Sequence, residues 1–100
     1  MKDTRPRYIS YEILSKEDIN HEDFKKEFLK KSLSLLGELD YKNANILILE
    51  KGHKDRGIIR CSHRHVDKIK LVLALIKEIN NKEVIVQSLK VSGTLKSLKR

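Results

Sequence analysis

The sequence is poor in the residues that would mark several common classes of protein. It has one cysteine, Cys61, so no internal disulfide can form, and a reducing cytoplasm is the expected setting. There is no tryptophan, and aromatic residues are 5% of the chain. The longest apolar runs, such as Leu71 to Ile76 and Ile46 to Leu49, are far too short to span a bilayer. The charged start, Met1 to Arg7, leads straight into a strand pattern, so no signal peptide is expected. No serine or cysteine nucleophile with a spaced base is present, nor a glycine-rich phosphate loop, nor a suggestive carboxylate pair. These absences disfavour a secreted, membrane-spanning or self-sufficient catalytic protein. Acylphosphatases share this size and the fold class expected below, but their N-terminal glycine-rich, arginine-bearing phosphate loop is missing, which counts against a small hydrolase.

What is present is one domain's worth of chain with an ordinary apolar share: 100 residues, 39% hydrophobic and 36% charged. The charge is unevenly placed. Met1 to Glu50 carries 9 Lys/Arg against 10 Asp/Glu, and Lys51 to Arg100 carries 13 against 4, for a total of +8. Beyond Val84 there is no acid. A one-sided basic field suits a polyanion, because each phosphate neutralised releases condensed counterions. No basic amphipathic helix with exposed aromatics points to a membrane surface.

The periodicity predicts six main elements in a single domain over residues 1–100. Met1 to Pro6 reads as a mobile arm. Arg7 to Leu14 alternates as a half-buried strand, with Ile9, Tyr11 and Ile13 on one side. Asn20 is placed to cap a helix whose inner side carries Phe24, Phe28, Ser32, Leu35, Leu36 and Leu39. Gly37 is expected to end it or to lie in its last turn, followed by a turn over Asp40 to Asn43. Ala44 to Glu50 forms a second strand, apolar on both faces, and Lys51 to Arg56 a hairpin connection. Gly57 to Ser62 is the third strand. A second helix is expected from Ser62 or His63 to about Asn80, with an Asn80 to Lys82 turn. Glu83 to Val91 is the fourth strand. Ser92-Gly93-Thr94 breaks it, and residues 92–100 form a basic tail with room for one helical turn. The order β-α-β-β-α-β is the α+β, ferredoxin-like or RNA-recognition-like pattern: a four-stranded antiparallel sheet with both helices on one face and the first and third strands central.

Two features exceed what such a core requires. The second strand is apolar on both sides, and Leu71 and Leu75 widen the second helix's apolar arc. Ile46, Ile48, Leu71 and Leu75 are therefore candidates for a protein interface, against the alternative that they pack inside the domain. RNA-recognition domains stack bases on aromatics of the two central strands. Here only one of Tyr8 and Tyr11 can face outward, and the third strand has none, so contact with backbone and shape through Arg and Lys is the expectation. The phosphate contacts expected on physical grounds are Arg56, Arg60, Arg64, Lys90, Lys96, Lys99 and Arg100. Arg7 either joins them or pairs with Glu12 or Glu50. Cys61-x-His63-x-His65 would align three metal ligands only if the strand stayed extended. The expected helix start turns His65 away, so no metal site is assigned.

Arg7-Tyr8-Ile9, Gly57-Ile58-Ile59-Arg60-Cys61 and Val91-Ser92-Gly93-Thr94-Leu95-Lys96, in that order and spacing, resemble the archaeal ribonuclease P protein component 2 family. By matching position Arg7, Tyr8, Gly57, Arg60, Ser92, Gly93, Thr94 and Lys96 are the family-like residues. The resemblance implies a cytoplasmic, non-catalytic subunit of the ribonuclease that removes the 5′ leader of precursor tRNA. It implies an RNA that carries the active site and its Mg2+, with no cofactor bound by the protein. It further implies pairing with protein component 3 as a dimer of heterodimers. The readings left beside it are another ribonucleoprotein or ribosomal protein of this fold, and a ferredoxin-like interaction domain without RNA.

Overall fold

The computed structural model describes residues 5–50 and 55–98. The elements are β1 (Pro6–Leu14), α1 (His21–Asn43), β2 (Leu47–Glu50), β3 (Arg56–Ser62), α2 (Val66–Leu75), β4 (Glu78–Ile79), β5 (Lys82–Glu83), β6 (Ile85–Ser92) and α3 (Leu95–Leu98). The main sheet is antiparallel in the order β2-β3-β1-β6, so β1 and β3 are central. This is the predicted ferredoxin-like βαββαβ arrangement, with a small β4–β5 hairpin added before the last main strand.

One face of the sheet meets the helices. Alternation along β1 sends Ile9, Tyr11 and Ile13 inward, where they join Ile59 and Cys61 of β3 and Val86 of β6. Phe24 and Phe28 of α1 and Ile69, Val72 and Leu73 of α2 close the core from above. Asn20 caps α1 as predicted: its Oδ1 accepts the Glu22 backbone N–H at 2.8 Å. Ser32 is fully buried and satisfied, donating its hydroxyl to the Phe28 carbonyl at 2.8 Å.

The close packing of Tyr11 organises the centre of the sheet. Its ring stacks on Phe24 with centroids 4.8 Å apart, and its hydroxyl meets His21 Nε2 at 3.0 Å. Across the β1–β3 pair it lies directly over Gly57, where an added Cβ would overlap the phenol. Gly57 is therefore demanded by close approach rather than by an unusual φ.

The structure corrects several expectations. Pro6 is not part of an arm: it opens β1 opposite Ser62, and the Arg5 carbonyl accepts the His63 backbone N–H at 2.9 Å. Residues 1–4 of the expected arm, and 51–54 of the expected hairpin connection, lie outside the described residues. Gly37 interrupts α1 rather than ending it. Its φ of +80° breaks the helical path, and helical structure resumes to Asn43, where a turn was expected. The core packing of α1 runs out before this last segment, so Leu35 and Leu39 are exposed while Leu36 still packs on the core. The tail of α1 is tied to α2 by Asp40. Lys68 donates a 2.9 Å hydrogen bond to it and holds the carboxyl below its usual range, with His65 Nε2 at 3.9 Å. The second helix ends at Leu75 rather than near Asn80. Ile76 is extended, and Asn80 and Asn81 adopt φ of 51° and 66° between the paired residues Ile79 and Lys82. Two successive positive φ values make a two-residue hairpin turn, which asparagine tolerates.

Two outcomes are expected from this packing. Gly57→Ala forces the Tyr11 ring to move and should destabilise the fold by about 1–3 kcal/mol, read as a lower thermal midpoint. Cys61, 1% exposed, has its thiol pushed up to about 11 by burial. It should resist thiol reagents near neutral pH until the chain is denatured. Because the folded state favours the neutral thiol, stability should be unaffected by this group below about pH 9. It should then fall as pH rises toward 11, and Cys61→Ser should lack that decline.

Candidate nucleic-acid interface

The sheet's other face lies away from the core that α1 and α2 close, and strand register places its side chains in rows. One row runs Leu47, Arg60, Tyr8, Ser92 across β2, β3, β1 and β6. The next runs Leu49, Ile58, Ser10, Lys90. Tyr8 is the central-strand tyrosine that faces outward, since Tyr11 is buried. A bulge in β6 at Leu89, opposite Ser10 and Tyr11, keeps both Lys90 on the open face and Val86 in the core.

Several predicted cations gather toward one end of this layer, where β1 begins and β3 and β6 finish. Arg60 is exposed there in its row with Tyr8. Arg64 is exposed in the 3-10 turn His63–His65, just past β3. Lys96 is exposed on α3, just past β6. Lys90 is exposed one row inward. None of these four side chains has an acidic partner among the described residues.

Arg7 reaches the same end from the helix-side face, since it alternates with Tyr8. The expected pairing with Glu12 does not form, and the Glu50 side chain lies outside what the structure describes. Instead Arg7 Nη1 donates to the Pro6 carbonyl at 2.9 Å and lies close to Gly93. Arg56 differs from the others. It sits toward the opposite end, where its Nε donates to Glu12 Oε2 at 3.2 Å, so its charge is already partnered. Lys99 and Arg100 lie outside the described residues.

The Ser92-Gly93-Thr94 break sits at the basic end as well. Ser92 Oγ accepts the Thr94 backbone N–H at 3.2 Å, starting the single turn of α3. Gly93 needs neither a positive φ nor close packing: a Cβ there would meet Arg7 Nη1 at an ordinary 3.6 Å. Neither a tight turn nor a close approach therefore demands glycine at this position.

The Cys61, His63 and His65 side chains do not converge. Cys61 points into the core, while the two histidines sit in the 3-10 turn and His65 faces Asp40. Of the apolar candidates, Leu71 and Leu75 are exposed at 54% and 40%. Ile46 and Ile48 are not surface residues of that kind, because they pack on the core. The exposed apolar residue of β2 is Leu47. Alternation could have picked out Leu47 once the register of β2 was known. Asn45 and Pro6, which border the basic end, carried no such signal.

Residues 7–100 match the Rpp14/Pop5 family. Ribonuclease P protein component 2 of Pyrococcus horikoshii is 36% identical over 95 residues, covering 94% of this chain and 79% of that protein. The component 2 protein of Archaeoglobus fulgidus is 36% identical over 97 residues, covering 97% of this chain and 87% of that protein. Among solved structures, a chain in a cryo-EM structure of yeast ribonuclease MRP superimposes with a TM-score of 0.70 at 14% identity, over 95% of this chain and 79% of that one. At that identity the likeness is one of fold. Sequence relatives aligned over nearly the whole chain and a matching sheet architecture lead to one assignment: this chain belongs to the Rpp14/Pop5 family.

Proposed function

We propose that this chain is a non-catalytic, cytoplasmic protein subunit of ribonuclease P. It would bind the catalytic RNA and support removal of 5′ leaders from precursor tRNA. The observation that carries this reading is the group of exposed cations at one end of the sheet, Arg60, Arg64, Lys90 and Lys96, with no acidic partner among the described residues. Partnered cations such as Arg56 add little to the field that a polyanion meets, whereas unpartnered ones are free to displace counterions from phosphates. The relatives named as ribonuclease P components supply the kind of RNA.

In this role the protein does no bond-breaking. Its cations lower the repulsion between RNA segments and hold them in the active shape. That arrangement favours Mg2+ at the RNA's own active site and the fit of precursor tRNA. Leu71 and Leu75, exposed one helical turn apart on α2, would form part of an apolar patch facing a second protein, ribonuclease P component 3, in a dimer of heterodimers.

Reconstitution tests the whole reading. Adding this protein and an archaeal component 3 to a ribonuclease P RNA should stimulate cleavage of precursor tRNA at limiting Mg2+. No stimulation, with no salt-dependent binding to that RNA, would refute it. Arg60→Ala or Lys96→Ala should each reduce the slope of log affinity against log salt by roughly 0.7–0.9, the increment for a single neutralised phosphate. Arg56→Ala should leave that slope unchanged, because Glu12 already partners its guanidinium.

A further inference from the structure

Beside the Tyr8–Arg60 row, the end of the sheet forms a small hollow of about 250 Å3 lined by Pro6, Asn45, Arg60, Cys61 and Ser62. Pro6 and Ser62 are paired across β1 and β3, and the Ser62 backbone N–H donates to the Ala44 carbonyl. This brings Asn45 to the margin of the same row from the chain just before β2. Asn45 is held at a φ of 50°, so its amide side chain leaves the backbone at a defined angle.

Its polar side chains are not engaged by other described residues, and one of them, Ser62, is buried. Among the described residues, the side chains of Asn45, Arg60, Ser62 and Tyr8 have no hydrogen-bond or ionic partner. An amide with both a donor and acceptor, a hydroxyl and a guanidinium thus border one small space, with the half-buried Tyr8 ring beside it across Arg60. The volume is below the range of about 300–1,000 Å3 typical of sites for drug-sized ligands, which fits one small ring system.

We propose that this hollow seats a single unpaired nucleotide of RNA. The proposal rests on the RNA-binding function above and adds to it a base-reading element. Asn45 and Ser62 hydrogen-bond the base edge, which is accessible only when the base is unpaired. Arg60 contacts the sugar–phosphate. Tyr8, on the far side of Arg60, offers its ring to the neighbouring base, an interaction that tolerates any sequence because every base has a π face. Arg64 and Lys96, exposed toward the same end of the sheet, favour a polyanion over a peptide as the occupant. A platform with one aromatic therefore still meets a single strand, but over one or two nucleotides rather than the longer run that a two-aromatic sheet reads.

The absence of tryptophan makes the test clean. Tyr8→Trp installs a single tryptophan next to the hollow, to be titrated with a single-stranded RNA hexamer, the same hexamer carrying abasic sites, and a 12-base-pair RNA duplex. The base-bearing hexamer should quench the tryptophan and the abasic one should not. Independently, Asn45→Gly in the otherwise unaltered protein keeps the positive φ without strain. It should weaken binding of a labelled hexamer about tenfold and leave duplex binding within twofold. Equal binding of the base-bearing and abasic hexamers, or an Asn45→Gly variant with unchanged hexamer affinity, would overturn the nucleotide seat while duplex binding leaves the RNA function standing. Salt-dependent binding to neither RNA would overturn both.

Discussion

The packing of Tyr11 on Gly57 is the constraint on which the rest of the sheet depends. A tyrosine on one central strand can lie flat across its neighbour only where that neighbour has no Cβ. From there the ring reaches Phe24, and through it Phe28, so a single inward side chain links both central strands to the first helix. Filling the helix side with Tyr11 leaves Tyr8 on the open side by simple alternation. The same register then sets Arg60 beside Tyr8 and Ser62 beside Pro6. The packing of the core and the composition of the open face are two consequences of one strand phase.

That open face is electrostatically divided. At one end Arg56 is neutralised by Glu12, which also accepts a long 3.5 Å hydrogen bond from Gln87. At the other, where three strand ends meet, cations from β3, the 3-10 turn and α3 have no acidic partner among the described residues. Exposed cations placed this way can neutralise and position a polyanion, which suits the proposed support of a catalytic RNA.

The helix layer has a different character. Leu71 and Leu75 of α2, and Leu35 and Leu39 of α1, remain exposed after the core is complete. The kink at Gly37 and the Asp40–Lys68 ion pair hold the end of α1 against α2. The domain therefore offers a charged end on its sheet and an apolar surface on its helices, on different sides of one small fold.

The order of the main elements, the inward phase of β1, the Asn20 cap and the excess of Leu71 and Leu75 could all be read from the chain. Each rests on local periodicity or on a single side chain's bond to nearby backbone. The family, too, was visible in three short motifs. The end of the second helix was not, because Ile76 and Ile79 satisfy a helical spacing as well as they satisfy a buried hairpin. Only the Asn80-Asn81 backbone and its pairing separated the two. Nor could the sequence distinguish a free arginine from a partnered one. Arg56 and Arg60 look alike in the chain, but cross-strand register sets Glu12 beside Arg56 and Tyr8 beside Arg60. Sequence alone determined which residues of β1 turn inward, since alternation is a property of one strand. The tertiary structure decided which polar groups keep their hydrogen-bonding capacity, because that depends on neighbours brought together from distant parts of the chain.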